Sequence, residues 1–244
     1  MLKGKTIVVI GATGGLGWPL SKYLSSQGAN LVLVSRGQDK LNELLGEIGP
    51  ERALAIAADA SDLIAMRDRV IPQAMSRFRL IDGVVLSAGS WSRSEVLVKP
   101  AEEILAAEAK MRQGMVLPTL VPALAFADHF KDQNHGHIFH ISSHVVERAE
   151  LAGNFAYRLA KQVGSNLMLQ LAIRFQGERL SIRTSDLRPG IINTRDTEGV
   201  IREAGFDPAT EAVQPEVIGE WIAHHLNDSE SPLIGSFACK AVLP

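Results

Sequence analysis

Short apolar runs alternate with longer amphipathic stretches along the whole chain. The first run, Thr6–Ile10, is rich in β-branched residues, which is typical of a parallel strand buried on both faces. The pattern predicts strands at Thr6–Ile10, Asn30–Ser35, Ala53–Ala58, Gly83–Leu86, His137–Ile141, Ser181–Leu187 and Leu233–Cys239. Helical spacing between them predicts helices at about Leu16–Gln27, Asp39–Glu47, Leu63–Arg77, Ala101–Phe130, Phe155–Gln176 and Pro215–Leu226.

This alternation predicts an α/β fold with a doubly wound parallel sheet of about seven strands, flanked by helices on both faces. No linker, charge block or internal repeat divides the 244 residues, so we expect a single domain. In such sheets ligands bind at the carboxyl ends of the strands. The residues that follow each predicted strand are therefore the candidate functional positions.

Composition narrows the class of partner. Hydrophobic residues make up 46% of the chain, and the net charge of -2 offers no general attraction to nucleic acid or anionic membranes. The one cysteine, Cys239, allows no intramolecular disulfide, which fits a reducing compartment. The longest apolar stretch, Met115–Ala127, is shorter than a bilayer span and contains two prolines. We expect a cytoplasmic protein without nucleic-acid or membrane partners.

A glycine-rich turn, Gly11-Ala12-Thr13-Gly14-Gly15-Leu16-Gly17, separates the first predicted strand from the first helix. Glycine allows a sharp turn and brings backbone N–H groups close to a ligand, and a helix N-terminus attracts an anion. An ordinary tight turn is the alternative for this segment alone. We interpret it as the site of a dinucleotide pyrophosphate, with these candidate contacts: Gly11, Thr13, Gly14, Gly15, Leu16 and Gly17.

The end of the second predicted strand bears on the choice of cofactor. A carboxylate there usually accepts hydrogen bonds from the ribose of NAD, but this strand ends in Ser35-Arg36. Ser35 and Arg36 can bind a 2′-phosphate instead, which predicts a preference for NADP(H), with NAD(H) possible. Arg36 as a solvated loop residue is the alternative. Asp59, after the third strand, is a candidate acceptor for the adenine amino group or else a helix cap.

Tyr157 and Lys161 lie four residues apart in a predicted helix, so they share one face. An ammonium near a phenol lowers the pKa of the phenol, which prepares it to exchange a proton with a carbonyl or hydroxyl oxygen. Ser143 follows the fifth predicted strand and could bond the same oxygen. A solvated helix face is the alternative for the Tyr-Lys pair alone.

With these elements in order, the sequence resembles the short-chain dehydrogenase/reductase family in its compact, single-domain Rossmann-fold branch. The resemblance runs from Lys3 to about Gly235. It rests on the glycine turn, Ile141-Ser142-Ser143, Tyr157-Arg158-Leu159-Ala160-Lys161 and Pro189-Gly190-Ile191-Ile192-Asn193-Thr194.

The resemblance implies an enzyme that transfers a hydride between a nicotinamide and a small carbonyl or secondary-alcohol substrate. Tyr157 would be the general acid or base, Ser143 would orient the substrate oxygen, and Lys161 would bind the nicotinamide ribose. A homodimer or homotetramer is also implied. Further implied cofactor contacts are Asp59, Ala60, Ser87, Ala88, Gly89, Pro189, Gly190, Ile191 and Thr194.

Two departures from the family pattern leave alternatives open. The stretch Ala109–Gly114 lacks the asparagine that many members carry, and Gln113 is a candidate replacement. Ser143 and Tyr157 are 14 positions apart, one more than usual, so Ser142 could face the substrate instead. A dinucleotide-binding regulatory or scaffold protein with weak turnover is therefore the main alternative. A nucleotide-sugar epimerase or dehydratase of the longer branch is disfavoured by length and glycine spacing.

Other segments suggest roles around the site. We expect residues 195–214, which contain two glycines and a proline, to form a mobile lid over the substrate. Position also suggests 91–93 and 148–155 as walls of the substrate pocket. Histidines cluster at 135, 137, 140 and 144, but His137 and His140 point to opposite faces of a strand, so we predict no metal site.

Overall fold

The computed structural model describes residues 1–89, 99–148, 155–228 and, for the backbone only, 234–237. Seven strands in these ranges form one parallel sheet in the order β3-β2-β1-β4-β5-β6-β7. The predicted α/β class with a doubly wound parallel sheet is confirmed. The strands are β1 (Thr6–Ile10), β2 (Asn30–Ser35), β3 (Ala53–Ala57), β4 (Gly83–Leu86), β5 (Gly136–Ile141), β6 (Ile182–Pro189) and β7 (Ile234–Phe237).

Helices connect successive strands and cover both faces of the sheet. They are α1 (Gly17–Ser26), α2 (Gln38–Ile48), α3 (Leu63–Ala65), α4 (Ile71–Phe78), α5 (Ala101–Met111), α6 (Leu117–Gln133), α7 (Phe155–Gly177), α8 (Glu198–Glu203), α9 (Pro208–Glu211) and α10 (Pro215–Asn227). Within the described residues, no helix is long and apolar enough to cross a membrane.

The strands are apolar on both faces because each face supports a separate core. Val8 and Ile10 of β1 pack into one core, formed with α4, α6 and α7. Ile7 and Val9 pack into the other, formed with α1, α2 and α10. Side chains alternate along a strand, so an uninterrupted apolar run satisfies both cores at once. This is the physical reason for the pattern seen in the sequence.

Two helices predicted as continuous contain a π-helical turn. Met66–Val70 lies between α3 and α4, and Arg112–Val116 lies between α5 and α6. Each turn directly precedes a helix with a proline in its first turn, Pro72 or Pro118. Proline has no backbone N–H, so the regular hydrogen-bond ladder is interrupted there.

Some boundaries differ from the predicted ones. β6 continues two residues further, because Arg188 and Pro189 still pair with β7. The proposed lid, residues 195–214, contains α8 and α9, which are too short to show clear periodicity in sequence. Residues 91–93 and 149–154, as well as Leu233 and Cys239, were part of the sequence predictions and lie outside the described residues.

Helix α7 lies unusually close to strand β5 at Gly164. A Cβ built on Gly164 would lie 2.5 Å from Cε1 and Nε2 of the His140 ring. The ring has little room to move, because His140 is 1% exposed and its Nδ1 bonds Asp186 Oδ1 at 2.8 Å. The absence of a side chain at Gly164 therefore allows α7 to contact the sheet.

We predict that Gly164→Ala destabilises the protein by about 1–3 kcal/mol, because the added methyl overpacks a rigid site. Gly177→Ala, at the end of the same helix, is the matched control, since nothing lies within 4 Å of its Cβ position. Urea unfolding followed by circular dichroism measures both variants. Equal stability of the two variants would contradict the close contact at Gly164.

Candidate active site

The candidate site lies where the order of the strands reverses, between β1 and β4. The segments after these two strands touch: a Cβ on Gly11 would lie 2.8 Å from the backbone of Ala88, and Gly11 has φ of +87°. Ser87 Oγ donates to the carbonyl of Ile10 at 2.8 Å. Ser87 and Ala88 therefore hold the glycine turn in place from the β4 side, whereas Gly89 lies against Met115.

The glycine turn is closely packed against its own backbone and against β2. A Cβ on Gly17 would collide with the carbonyl oxygen of Gly11. The N–H groups of Gly11 and Ala12 donate to Val34 O at 2.9 and 3.1 Å. Helix α1 begins at Gly17 after Leu16, without a side-chain cap and without an acidic residue in its first turn. Its N-terminus thus keeps donors for an anion.

Ser35 joins the glycine turn directly, because its Oγ lies 2.6 Å from Thr13 Oγ1. Arg36 is exposed, and the described residues give it no hydrogen bond or ion pair. The pair thus presents a hydroxyl cluster with a cation beside it. Asp59 is exposed after β3, and its Oδ1 accepts from Ser61 N at 2.8 Å, whereas Asp62 caps the next helix. Asp59 is not the helix cap that was the alternative.

The segment after β6 folds over the glycine turn. Pro189 ends β6, and Ile191 O accepts from Val213 N at 2.9 Å, which fixes the chain beyond Gly190. A Cβ on Gly15 would lie 2.6 Å from Asp196 Oδ2 and 3.3 Å from Thr194 Cβ. A carboxylate therefore lies beside the glycine turn in this structure.

Ser143, Tyr157 and Lys161 converge at the carboxyl end of β5. The Ser143 hydroxyl lies close enough to that of Tyr157 to lower its pKa against the effect of burial. Lys161 Nζ donates to Ile141 O at 2.7 Å and lies 5.8 Å from the centre of the Tyr157 ring. Two adjacent hydroxyls beside an ammonium form a group able to exchange a proton with a bound oxygen.

The pKa shifts of this group differ from the sequence expectation. Burial raises the pKa of Tyr157 to about 12, and the hydrogen bond from Ser143 only partly opposes this. Burial lowers the pKa of Lys161 to about 8, while the negative charge of Asp186 opposes that fall. The expected lowering of the Tyr157 pKa by Lys161 is wrong for this structure. Desolvation outweighs attraction, because the ammonium bonds a carbonyl rather than the phenol.

The two candidate serines point in different directions. Ser142 Oγ is buried and lies 2.8 Å from Ser165 Oγ of α7, so it links strand and helix. Ser143 lies beside Tyr157 instead, and its Oγ accepts from Val145 N at 3.4 Å. The alternation of side chains along the chain explains why only one of the two reaches the tyrosine.

The segment without the usual asparagine is apolar where it meets Tyr157. Met111 and Met115 are buried and pack in a cluster that includes Tyr157. Gln113, the candidate replacement, is exposed.

A network of side chains that our sequence analysis assigned no role lies behind Lys161. We call it the Asp186 network; it consists of His140, Asp186 and Arg188. Asp186 bonds His140 through Oδ1 and Arg188 Nε through Oδ2, at 2.8 and 2.7 Å. The signal was present in the sequence, because Asp186 is a charged residue inside a predicted buried strand. His137 and His140 do lie on opposite faces, and the described residues contain no group of three or more potential metal ligands.

Comparison with known proteins agrees with this arrangement. The short chain dehydrogenase family matches residues 5–204. An uncharacterized oxidoreductase of Listeria innocua is 26% identical over 243 residues, covering 97% of this chain and 96% of that protein.

Two solved structures share the fold. A short chain dehydrogenase of Bacillus anthracis has a TM-score of 0.81 at 18% identity, covering 97% of this chain and 96% of that one. A 3-ketoacyl-(acyl-carrier-protein) reductase of Brucella melitensis, complexed with NADH, has a TM-score of 0.80 at 22% identity, covering 97% of both chains. The resemblance inferred from the motifs is thus confirmed: the chain belongs to the short-chain dehydrogenase/reductase family and is an oxidoreductase.

Proposed function

We propose that the protein is an NADP(H)-dependent reductase or dehydrogenase acting on a carbonyl compound or a secondary alcohol. The convergence of Ser143, Tyr157 and Lys161 at the same edge of the sheet as the glycine turn carries this proposal. The group lies at the edge of the sheet where family members bind their ligands. Its chemistry, a phenol supported by a hydroxyl and an ammonium, is that of proton exchange with an oxygen.

The residues at this edge suit a nicotinamide dinucleotide. Side chains at Gly11 or Gly17 would fill the space of the turn, and the uncapped N-terminus of α1 would hold the pyrophosphate. Ser35 and Arg36 would bind a 2′-phosphate, with no carboxylate on β2 to repel it, so NADP(H) is preferred over NAD(H). The remaining contacts would come from Asp59, Ala60, Ser87, Ala88, Gly89, Pro189, Gly190, Ile191 and Thr194.

A nicotinamide held at this edge would supply or accept the hydride. Tyr157 donates a proton to the substrate oxygen during reduction and accepts one during oxidation. A pKa of about 12 keeps its hydroxyl protonated at neutral pH, which is the form that reduction requires. Ser143 donates a hydrogen bond that orients the substrate oxygen, and the Lys161 ammonium would bind the hydroxyls of the nicotinamide ribose. Homodimer or homotetramer formation and a lid at 195–214 stay predictions.

The proposal is tested by NADPH and NADH oxidation against a broad panel of carbonyl compounds, with Tyr157→Phe beside the wild type. Loss of the acid should lower turnover by at least about 100-fold, with little change in the Kd for NADPH measured by nicotinamide fluorescence. Undiminished turnover by Tyr157→Phe would exclude Tyr157 as the acid. Tight NADPH binding without wild-type turnover would favour the regulatory protein, a reading that the methionines beside Tyr157 also support.

The role of Arg36 is tested by reversing its charge. Arg36→Asp should weaken NADPH binding by about 10- to 100-fold, because a hydrogen bond to a charged group is lost, and should affect NADH much less. Arg69→Asp, at another exposed arginine without a partner among the described residues, controls for the change in net charge. Isothermal titration calorimetry gives both constants, and equal losses for the two cofactors would remove the 2′-phosphate role.

Asp196 provides a separate test of the pyrophosphate position. Its carboxylate lies against Gly15, where it would repel a phosphate. Asp196→Asn should tighten NADPH binding by about 1 kcal/mol, close to fivefold in Kd, with a smaller gain at high salt. The matched control is Glu203→Gln, which makes the same charge change on α8. Unchanged affinity in Asp196→Asn would place the pyrophosphate away from Gly15.

A further inference from the structure

A buried carboxylate lies behind the proton-exchange group without being part of it. Asp186 is 2% exposed and sits on β6, next to β5. Its Oδ1 accepts from His140 Nδ1 at 2.8 Å, and its Oδ2 accepts from Arg188 Nε at 2.7 Å. The Ser165 hydroxyl of α7 lies near this carboxylate and contributes to lowering its pKa. A carboxylate in such a position is strongly destabilising unless all its partners are present.

The network has a direct connection to Lys161 through helix α7. Lys161, Gly164 and Ser165 lie on one face of α7, because they are three and four residues apart. Gly164 contacts the His140 ring, and Ser165 bonds Ser142 and lies near Asp186. The elements that position Lys161 therefore pack directly on the Asp186 network.

The charges of the network explain its effect on Lys161. Burial alone would raise the pKa of Asp186, but bonds from His140, Arg188 and Ser165 hold it below its usual value. Burial lowers the pKa of His140, so the ring is neutral at physiological pH. Arg188 pairs with Asp186 and with Glu147 Oε1, the latter at 2.6 Å. Because Arg188 is shared between Asp186 and the exposed Glu147, the buried Asp186 carboxylate keeps negative charge that a protonated Lys161 balances.

We propose that Asp186 is a positioning residue that keeps Lys161 in its ammonium form. Arg188 partly neutralises the Asp186 carboxylate and so limits this effect. This inference rests on the proposed function, in which the Lys161 ammonium binds the nicotinamide ribose next to Tyr157. Asp186 itself contacts neither substrate nor cofactor. It acts through the negative charge that it places behind the half-buried Lys161.

Lys161 is the group whose titration should appear in the weakly alkaline range. The titratable and charged groups facing it are Tyr157 on α7, His140 on β5, and Asp186 and Arg188 on β6. The pKa of Tyr157, about 12, lies above this range. The pKa values of His140 and Asp186 are lowered and lie below it. Arg188 stays charged throughout, because its pKa is raised by Glu147 and Asp186 against the effect of burial.

Asp186→Asn removes the supporting charge, so the pKa of Lys161 should fall further below about 8. The alkaline limb of the kcat/KM profile then moves to lower pH. We expect a loss of roughly fivefold at pH 8 but less than about twofold at pH 6. Arg188→Gln leaves Asp186 less compensated and should move the same limb to higher pH. Opposite shifts from two variants of one network distinguish a charge effect from a structural one, which would lower activity in both at every pH.

The titration of Lys161 is also read directly on the cofactor-free protein, by NMR of ¹³C-labelled lysine, with Lys161→Arg identifying the signal. Asp82→Asn is the matched control, because Asp82 is an equally buried carboxylate at the opposite edge of the sheet, paired with Lys5 at 2.9 Å. We expect the Lys161 signal to titrate at lower pH in Asp186→Asn and at the wild-type pH in Asp82→Asn.

An unchanged Lys161 titration in Asp186→Asn, or shifts of the same sign in Asp186→Asn and Arg188→Gln, would overturn the inference. If Asp186→Asn does not fold, the Arg188→Gln variant alone tests the inference: the alkaline limb of its kcat/KM profile must move to higher pH. A wild-type protein without turnover would count against the proposed function, whereas the NMR titration would still decide the role of Asp186.

Discussion

The close approach of helix α7 to strand β5 is the constraint on which the candidate site depends. Tyr157 and Lys161 belong to the helix, whereas Ser143 and the carbonyl of Ile141 belong to the end of the strand. These groups meet only if helix and strand are in contact, and the missing side chain at Gly164 permits that contact. The hydrogen bond between Ser142 and Ser165 then fixes the helix relative to the strand. The interface between α7 and β5 therefore determines both how the helix packs on the sheet and where the candidate catalytic groups lie.

The sequence was sufficient to predict the sheet because burial on both faces leaves a strong signal. β1 and β2 have no charged residue, and their predicted bounds match the structure. The apolar signal is weaker for β6, because charged residues at 183, 186 and 188 interrupt its apolar pattern. Such a pattern is more typical of an exposed strand than of a buried one. Each charge has a partner on a distant element, and a partner far away in sequence cannot be inferred from local pattern. The short helices α8 and α9 escaped prediction because one turn carries too few periodic positions.

The residues of the candidate site were predictable in identity but not in electrostatic state. Spacing along a helix places Lys161 near Tyr157, and this proximity is observed. Spacing says nothing of how deeply both groups are buried, nor that the ammonium donates to Ile141. Desolvation acts on the two groups in opposite directions, since it always favours the neutral form. The sign of a pKa shift therefore depends on burial and partners that only the folded chain defines.

Two buried aspartates, Asp82 and Asp186, each pair with a cationic side chain but lie at opposite edges of the sheet. Asp82 accepts from Lys5, from the backbone of Thr6 and from His135, so it ties the amino ends of β1 and β4 together far from the glycine turn. Asp186 is held as firmly, but its partners lie at the carboxyl edge where the candidate chemistry takes place. In a parallel sheet ligands bind at that edge. A buried charge there lies among the candidate catalytic groups, whereas the same charge at the other edge joins two strands far from them.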